Sequence, residues 1–214
     1  MRIRITFNKT NAMRYTGHLD LHRTWERTFR RAGLPLAYSQ GFHPQPRINL
    51  AAALPLGFTS ESEIVDVWLE EELPTGEILA ALEKALPPGL QVTSLEAVEG
   101  REPALQTQVV SAEYIATLLD PVHAVDERLH ELLAAESLPR ERRGKPYDLR
   151  PLIEALQRLP DDDQGRTRIQ MQLACREGAT GRPEEVLDQM GILPENTRVH
   201  RTRLLIADSQ STRL

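Results

Sequence analysis

The run Arg2-Ile3-Arg4-Ile5-Thr6-Phe7 alternates charged or hydroxyl side chains with apolar ones. This is the period-two pattern of a strand buried on one face. A helix is expected next, over 18–32, with the apolar stripe Leu21, Trp25, Phe29 and Ala32 at spacings of four and three. Gly33 suits the left-handed position after its last turn, and Thr16 is the expected cap. Strands are expected over 48–54 and 64–70, divided by Pro55 and Gly57. Thr75 then caps a helix over 77–86, which Pro87-Pro88-Gly89 stops, and a strand follows over 90–98. The order is β-α-β-β-α-β.

After a polar linker, 99–108, the same order returns over 109–207. A strand over 109–118 and a helix over 123–135 precede the basic run 140–145, read as a loop. The stretch 147–159 has helical spacing through Leu152, Ile153, Leu156 and Leu159, yet the repeat asks for a strand starting near Tyr147, and the strand is expected. Alternation predicts a strand over 167–175 with Cys175 facing the core. Pro183 opens a short helix closed by Gly191, a strand over 197–207 ends the second domain, and 208–214 is a loose tail. The fold class is therefore α+β: two tandem ferredoxin-like domains, 1–98 and 109–207, each an antiparallel sheet with helices on one face.

Among the 214 residues, 40% are hydrophobic, enough for ordinary cores. The net charge of −5 is unevenly spread. Residues 1–60 hold nine basic side chains against two acidic ones, while the rest holds 17 basic and 29 acidic. Such asymmetry marks a local electrostatic footprint, and the acidic bulk excludes an indiscriminate, histone-like binder. With one cysteine no disulfide forms within the chain. No apolar run is long enough to span a bilayer, and no signal-peptide pattern is present at the N-terminus, so a soluble, cytoplasmic protein without a membrane partner is expected.

The basic segment is also the most varied chemically. Arg23, Arg27, Arg30 and Arg31 fall away from the apolar stripe of the first helix and form a basic outer face, joined by Arg2, Arg4, Arg14 and Arg47. On most helices such a face only solvates. Here it is followed by Tyr38-Ser39-Gln40-Gly41-Phe42-His43-Pro44-Gln45-Pro46-Arg47, in which the glycine permits close backbone approach and Phe42 and His43 could stack on an unpaired base. The prolines keep that loop stiff. RNA is the expected partner, with Arg14, Tyr15, His18, Arg23, Arg27, Arg30, Arg31, Tyr38, Gln40, Phe42, His43 and Arg47 as its binding residues. No strand carries the alternating aromatics of an RRM.

Two chemical alternatives use the same residues. His18 and His22, four apart on a helix, have the spacing of two metal ligands, but no third ligand follows at a fixed interval, and no metal or other cofactor is expected. His18 or His43, with Asp20 as a further candidate, could act as acid or base in metal-independent RNA cleavage, since imidazole titrates near neutrality. A protein–protein adapter whose basic segment meets an acidic partner is the third reading.

The runs Tyr15-Thr16-Gly17-His18-Leu19-Asp20 and Arg31-Ala32-Gly33-Leu34-Pro35-Leu36-Ala37-Tyr38-Ser39-Gln40-Gly41-Phe42-His43-Pro44-Gln45-Pro46 resemble the hallmark of the radical-SAM-linked protein family. Ala53-Leu54-Pro55-Leu56-Gly57, Asp148-Leu149-Arg150-Pro151-Leu152, Arg182-Pro183-Glu184-Glu185-Val186-Leu187 and Arg201-Thr202 resemble its later signatures, so the likeness covers nearly the whole chain. The resemblance implies a bacterial domain, of no assigned function, found alone or fused C-terminally to a radical SAM enzyme. It suits an accessory protein without activity of its own that serves RNA modification, on tRNA or rRNA. A radical SAM cluster needs three cysteine thiolates and this chain has only Cys175, so that enzyme must be a separate partner. The duplicated order also resembles the RAMP endonucleases, in architecture alone.

Overall fold

The computed structural model describes residues 1–100 and 102–207. The tail expected over 208–214 lies outside them. The chain is α+β and divides into two compact units, Met1–Val109 together with Ala207, and Val110–Ile206.

In the first unit, β1 (Arg2–Lys9) leads through a short turn to α1 (His18–Arg31), β2 (Ile48–Leu50), β3 (Thr59–Trp68), α2 (Thr75–Ala85) and β4 (Leu90–Ala97). The strand order is β4-β1-β3-β2, with every pairing antiparallel. Register sets Ile3 beside Val67 and Ile5 beside Val65, so the apolar side chains of both strands share one face. Leu21, Trp25 and Phe29 of α1 and Ile78 and Leu82 of α2 close over that face. Trp25 meets Phe7 edge-on at 4.8 Å and stacks on Phe29 at 5.1 Å. Gly17, rather than Thr16, takes the cap position of α1, without a side-chain bond. The third strand begins at Thr59, five residues before the expected start, because Ser60 and Glu63 are buried polar residues and break the apolar pattern.

The stretch expected as a linker is packed against this unit instead. It carries α3 (Leu105–Gln108), and Leu105 is fully buried. Arg2 donates to the carbonyls of Glu102 and Pro103 at 3.2 Å each, Arg4 lies 3.3 Å from the Glu102 carboxylate, and Gln108 donates to Pro103 O at 2.8 Å. Because Arg2 and Arg4 alternate with the core-facing Ile3 and Ile5, this strap covers the sheet face opposite the helices.

The second unit runs β5 (Val109–Leu118), α4 (Val125–Ala134), β6 (Pro139–Arg142), β7 (Lys145–Asp148), β8 (Ile153–Leu159), β9 (Arg168–Arg176), β10 (Ala179–Thr180), α5 (Pro183–Gln189) and β11 (Thr197–Ile206). Here β5 lies between β9 and β11, and β8 and β10 pair with the far side of β9. The expected strand near Tyr147 is thus two: β7 ends at Asp148, and β8 starts only at Ile153. The basic run 140–145 is a hairpin, not a loop. It turns through Arg143 and Gly144, both at positive φ, and is fastened to α5. Arg142 bonds Glu185 at 2.5 and 3.1 Å and Thr180 O at 3.1 Å, and Arg140 reaches Asp188 at 2.6 Å. Burial, then the Glu185 carboxylate, raise the pKa of Tyr147 beside this cluster. Cys175 is half-buried, because Leu173 and Ala174 are both buried and the alternation breaks between them. No described helix is long and apolar enough to cross a membrane.

Candidate nucleic-acid interface

Burying Leu21, Trp25 and Phe29 turns the opposite side of α1 to solvent. Arg23, Arg27 and Arg31, four apart, rise along one stripe at roughly 6 Å per step, and Arg30 lies beside them. Two carboxylates moderate this face: Asp20 lies 3.5 Å from Arg23, and Glu26 lies 2.9 Å from Arg30. The Arg23–Asp20 pair is solvent-exposed and therefore weak and easily exchanged for another anion, while Glu26 is half-buried beside an exposed Arg30. Among the described residues, neither Arg27 nor Arg31 has an ion pair or a hydrogen bond from its guanidinium. From Arg27 to Ser60 the sequence contains no acidic residue.

Seven residues beyond Arg31 the chain rises into the loop. Gly33 at φ 71° ends the helix, and buried Leu34 and Leu36 draw the chain back to the sheet, where Leu36 pairs with Leu69. Ala37 N–H donates to Trp68 O at 2.8 Å, and Arg47 N–H donates to Ala37 O at 2.8 Å. Above these, Tyr38 pairs with Pro46, Ser39 N–H donates to Gln45 O at 2.8 Å, and Gln45 N–H donates to Ser39 Oγ at 3.0 Å. These bonds form a closed neck. Gln40, Gly41, Phe42, His43 and Pro44 stand beyond it, all exposed, with Phe42 at 103% of its reference area and Tyr38 at 40%. Gly41 has φ 128°, a conformation that side-chain-bearing residues rarely adopt. At the base of the neck, the Arg47 and Arg2 guanidinium groups lie 4.7 and 5.1 Å from the Trp68 ring.

Other cations of the first 60 residues are spent inside the unit. Asp66, fully buried, takes Arg2 Nε at 2.8 Å and also its Nη2, and takes Arg4 at 3.0 and 3.1 Å. Burial opposes the Arg4 cation, but Asp66, with Glu102 and Glu96, outweighs it and raises its pKa. Lys9 is buried and donates to Phe58 O at 2.9 Å and Arg14 O at 3.3 Å. Arg14 donates to Gly57 O at 2.7 Å and lies 5.4 Å over Tyr15, which is itself exposed. Arg2 and Arg4, expected to join the basic face, instead neutralise buried acid and hold the strap.

The three candidate histidines occupy different surroundings. His18 is in the first turn of α1. His22 lies with Nε2 3.3 Å from Ile48 O, a contact in which the ring N–H donates. His43 stands on the loop tip, and Asp20 pairs with Arg23 on the helix exterior. Among the described residues no group of three His, Cys, Asp or Glu side chains is arranged to hold a metal ion. Sequence reasoning did not find Trp68 or the Ser39 lock. Trp68 carries a signal, being a tryptophan on the strand face opposite Val67, but its arginine partners are 66 and 21 residues away in the chain.

No curated protein matches the chain. Among solved structures, a Cbf5-Nop10-Gar1 complex is similar at 8% identity and a TM-score of 0.48, covering 94% of this chain and 48% of that one. An H/ACA RNP bound to a substrate RNA containing 2'-deoxyuridine is similar at 8% identity and a TM-score of 0.49, covering 94% and 47%. An archaeal box H/ACA sRNP Nop10-Cbf5 complex is similar at 9% identity and a TM-score of 0.45, covering 97% and 50%. The chain thus spans about half the length of these chains. At such identities and scores the likeness carries no inference about function. The family comparison is direct: the model of the uncharacterized proteins conserved in bacteria, DUF2344, matches residues 2–183, and the chain belongs to that family.

Proposed function

We propose that the protein binds RNA through the outer face of α1 and the loop 38–46, as an accessory to a separate radical SAM enzyme in RNA modification. The observation that carries this reading is the exposed stripe of Arg23, Arg27 and Arg31, two of whose members lack a carboxylate partner among the described residues, joined by a short connection to a loop that displays Phe42. Guanidinium groups match phosphate oxygens with paired donors, and an exposed ring matches a base face. The strap over the opposite sheet face leaves the helix side of the unit as the accessible basic surface. In this reading each unit is a ferredoxin-like scaffold, and the first holds the interface. The partnership with a radical SAM enzyme rests on the resemblance of the 15–47 motif and on the single cysteine, since these 214 residues do not supply the three thiolates of such a cluster.

Fluorescence anisotropy of labelled cellular RNA at low salt tests the reading. Binding is expected, and Arg27→Glu with Arg30→Glu abolishes it while circular dichroism stays unchanged. A wild-type protein that leaves RNA free at low salt refutes it.

A further inference from the structure

The loop 38–46 has features that phosphate binding alone does not require. A phosphate contact needs a cation or an N–H group, whereas the most exposed side chain of the loop is a phenyl ring. An isolated, fully exposed Phe on a mobile loop would fold back onto apolar surface. Phe42 instead stands fully exposed above a neck closed by the Tyr38–Pro46 pairing and the reciprocal Ser39–Gln45 bonds. Gly41, at φ 128°, and Pro44 then set the direction of the tip. The conformational cost of presenting the ring is met in folding rather than in binding.

From this geometry, and resting on the RNA reading above, we infer that the loop is a stacking finger for an unpaired nucleotide, with Phe42 as the platform, so that the surface selects single-stranded RNA over duplex. In an A-form duplex the base faces are covered by their neighbours and a ring approaching from outside finds only edges, riboses and phosphates. A free face exists only on a looped-out, bulged or single-stranded base. The surroundings of the finger favour a nucleic acid over an apolar protein surface. Arg47 is held at the neck over Trp68, Arg30 and Arg31 end the helix that leads into it, and the whole stretch from Arg27 to Ser60 lacks a carboxylate. Cations therefore both precede and follow the finger along the chain, which suits the flanking phosphates of a base stacked on Phe42.

The test compares a short mixed-sequence RNA, labelled at one end, with the same strand annealed to its complement, using the full chain as wild type, Phe42→Ala and Phe42→Tyr. Base–aromatic stacking contributes enough that Phe42→Ala is expected to weaken single-strand binding by about tenfold, with Phe42→Tyr restoring it and duplex binding unmoved. A 2-aminopurine placed in the single strand is quenched by wild type and not by Phe42→Ala. Phe42 buries no surface within the protein, so none of these variants threatens folding. Equal affinity of wild type for strand and duplex, or an unchanged Kd for Phe42→Ala, overturns the finger while leaving RNA binding standing. Absence of any RNA binding removes the RNA reading and the finger together. Loss of a co-purifying protein from Phe42→Ala, with RNA affinity retained, assigns the ring to a protein contact and also overturns the inference.

Discussion

The salt dependence of RNA binding separates cations that are available from cations that are merely present. For single strands, log K falls with log salt at a slope of about −0.7 for each phosphate neutralised. If all nine basic side chains of residues 1–60 served, the slope would approach about −6.3. The structure removes four of them: Arg2 and Arg4 are bound to Asp66, Lys9 is buried on carbonyls, and Arg14 is fixed to Gly57 O. Five remain, Arg23, Arg27, Arg30, Arg31 and Arg47, and the expected slope is no steeper than about −3.5. That corresponds to roughly a hundredfold loss of affinity between about 50 and about 200 mM salt. In Arg27→Gln with Arg31→Gln the slope falls to about −2.1 and the loss over the same interval to roughly twentyfold. Anisotropy titrations at several salt concentrations measure both. A wild-type slope near the nine-cation value would mean that Arg2 and Arg4 leave Asp66, Lys9 leaves its carbonyls and Arg14 leaves Gly57 O to reach RNA, and would refute this count. An unchanged slope in the double variant would remove α1 from the interface.

Three further outcomes follow from the packing. Asp66→Asn strips two nearly buried arginines of their shared carboxylate and is expected to cost about 3 kcal/mol in urea unfolding with an unchanged m-value; a loss below about 1 kcal/mol would show that Glu102 suffices to balance them. Gly89→Ala demands φ 100° of an alanine and sets its Cβ 2.6 Å from Met13 Cγ and 3.0 Å from Met13 N, so a destabilisation of about 2 to 4 kcal/mol is expected, and a neutral result contradicts the packing of the 10–13 turn on this residue. The Arg166 guanidinium and the N–H groups of Arg166 and Gln164 hold the Asp162 carboxyl down to about 2. Since the folded value lies below the ordinary 3.8, the stabilisation from this turn is present above about pH 4 and is lost as pH falls through about 2. Carbon-detected NMR titration of that carboxyl reads the midpoint directly, and a value near the ordinary one would show the cluster open in solution.

Periodicity made much of the scaffold legible. The alternation in β1, β5 and β9 and the four-three spacing in α1 arise because each strand or helix must turn one side to the core, and that requirement is written residue by residue. The start of β3 was hidden by buried Ser60 and Glu63, and the run 147–159, expected as one strand, is divided because a turn at Arg150–Leu152 separates the hairpin end at Asp148 from the strand that starts at Ile153. Polarity likewise misled at 99–108, where backbone carbonyls rather than side chains fasten the strap to Arg2.

The sequence by itself determined where the basic charge lies, which side of α1 is apolar, and that no cluster of thiolates is available for redox chemistry. Tertiary structure alone decided which of those charges are usable. Arg2 and Asp66 are 64 residues apart, and only the register of β1 against β3 brings them together and withdraws the arginines from solvent. It also decided that the 38–46 loop stands on a locked neck, since the pairing of Leu36 with Leu69 depends on the end of a strand formed later in the chain. Local pattern records which way a side chain faces; the identity of the partner it meets there depends on chain segments far away, and in this protein that partner separates an arginine held by internal acid from one left exposed.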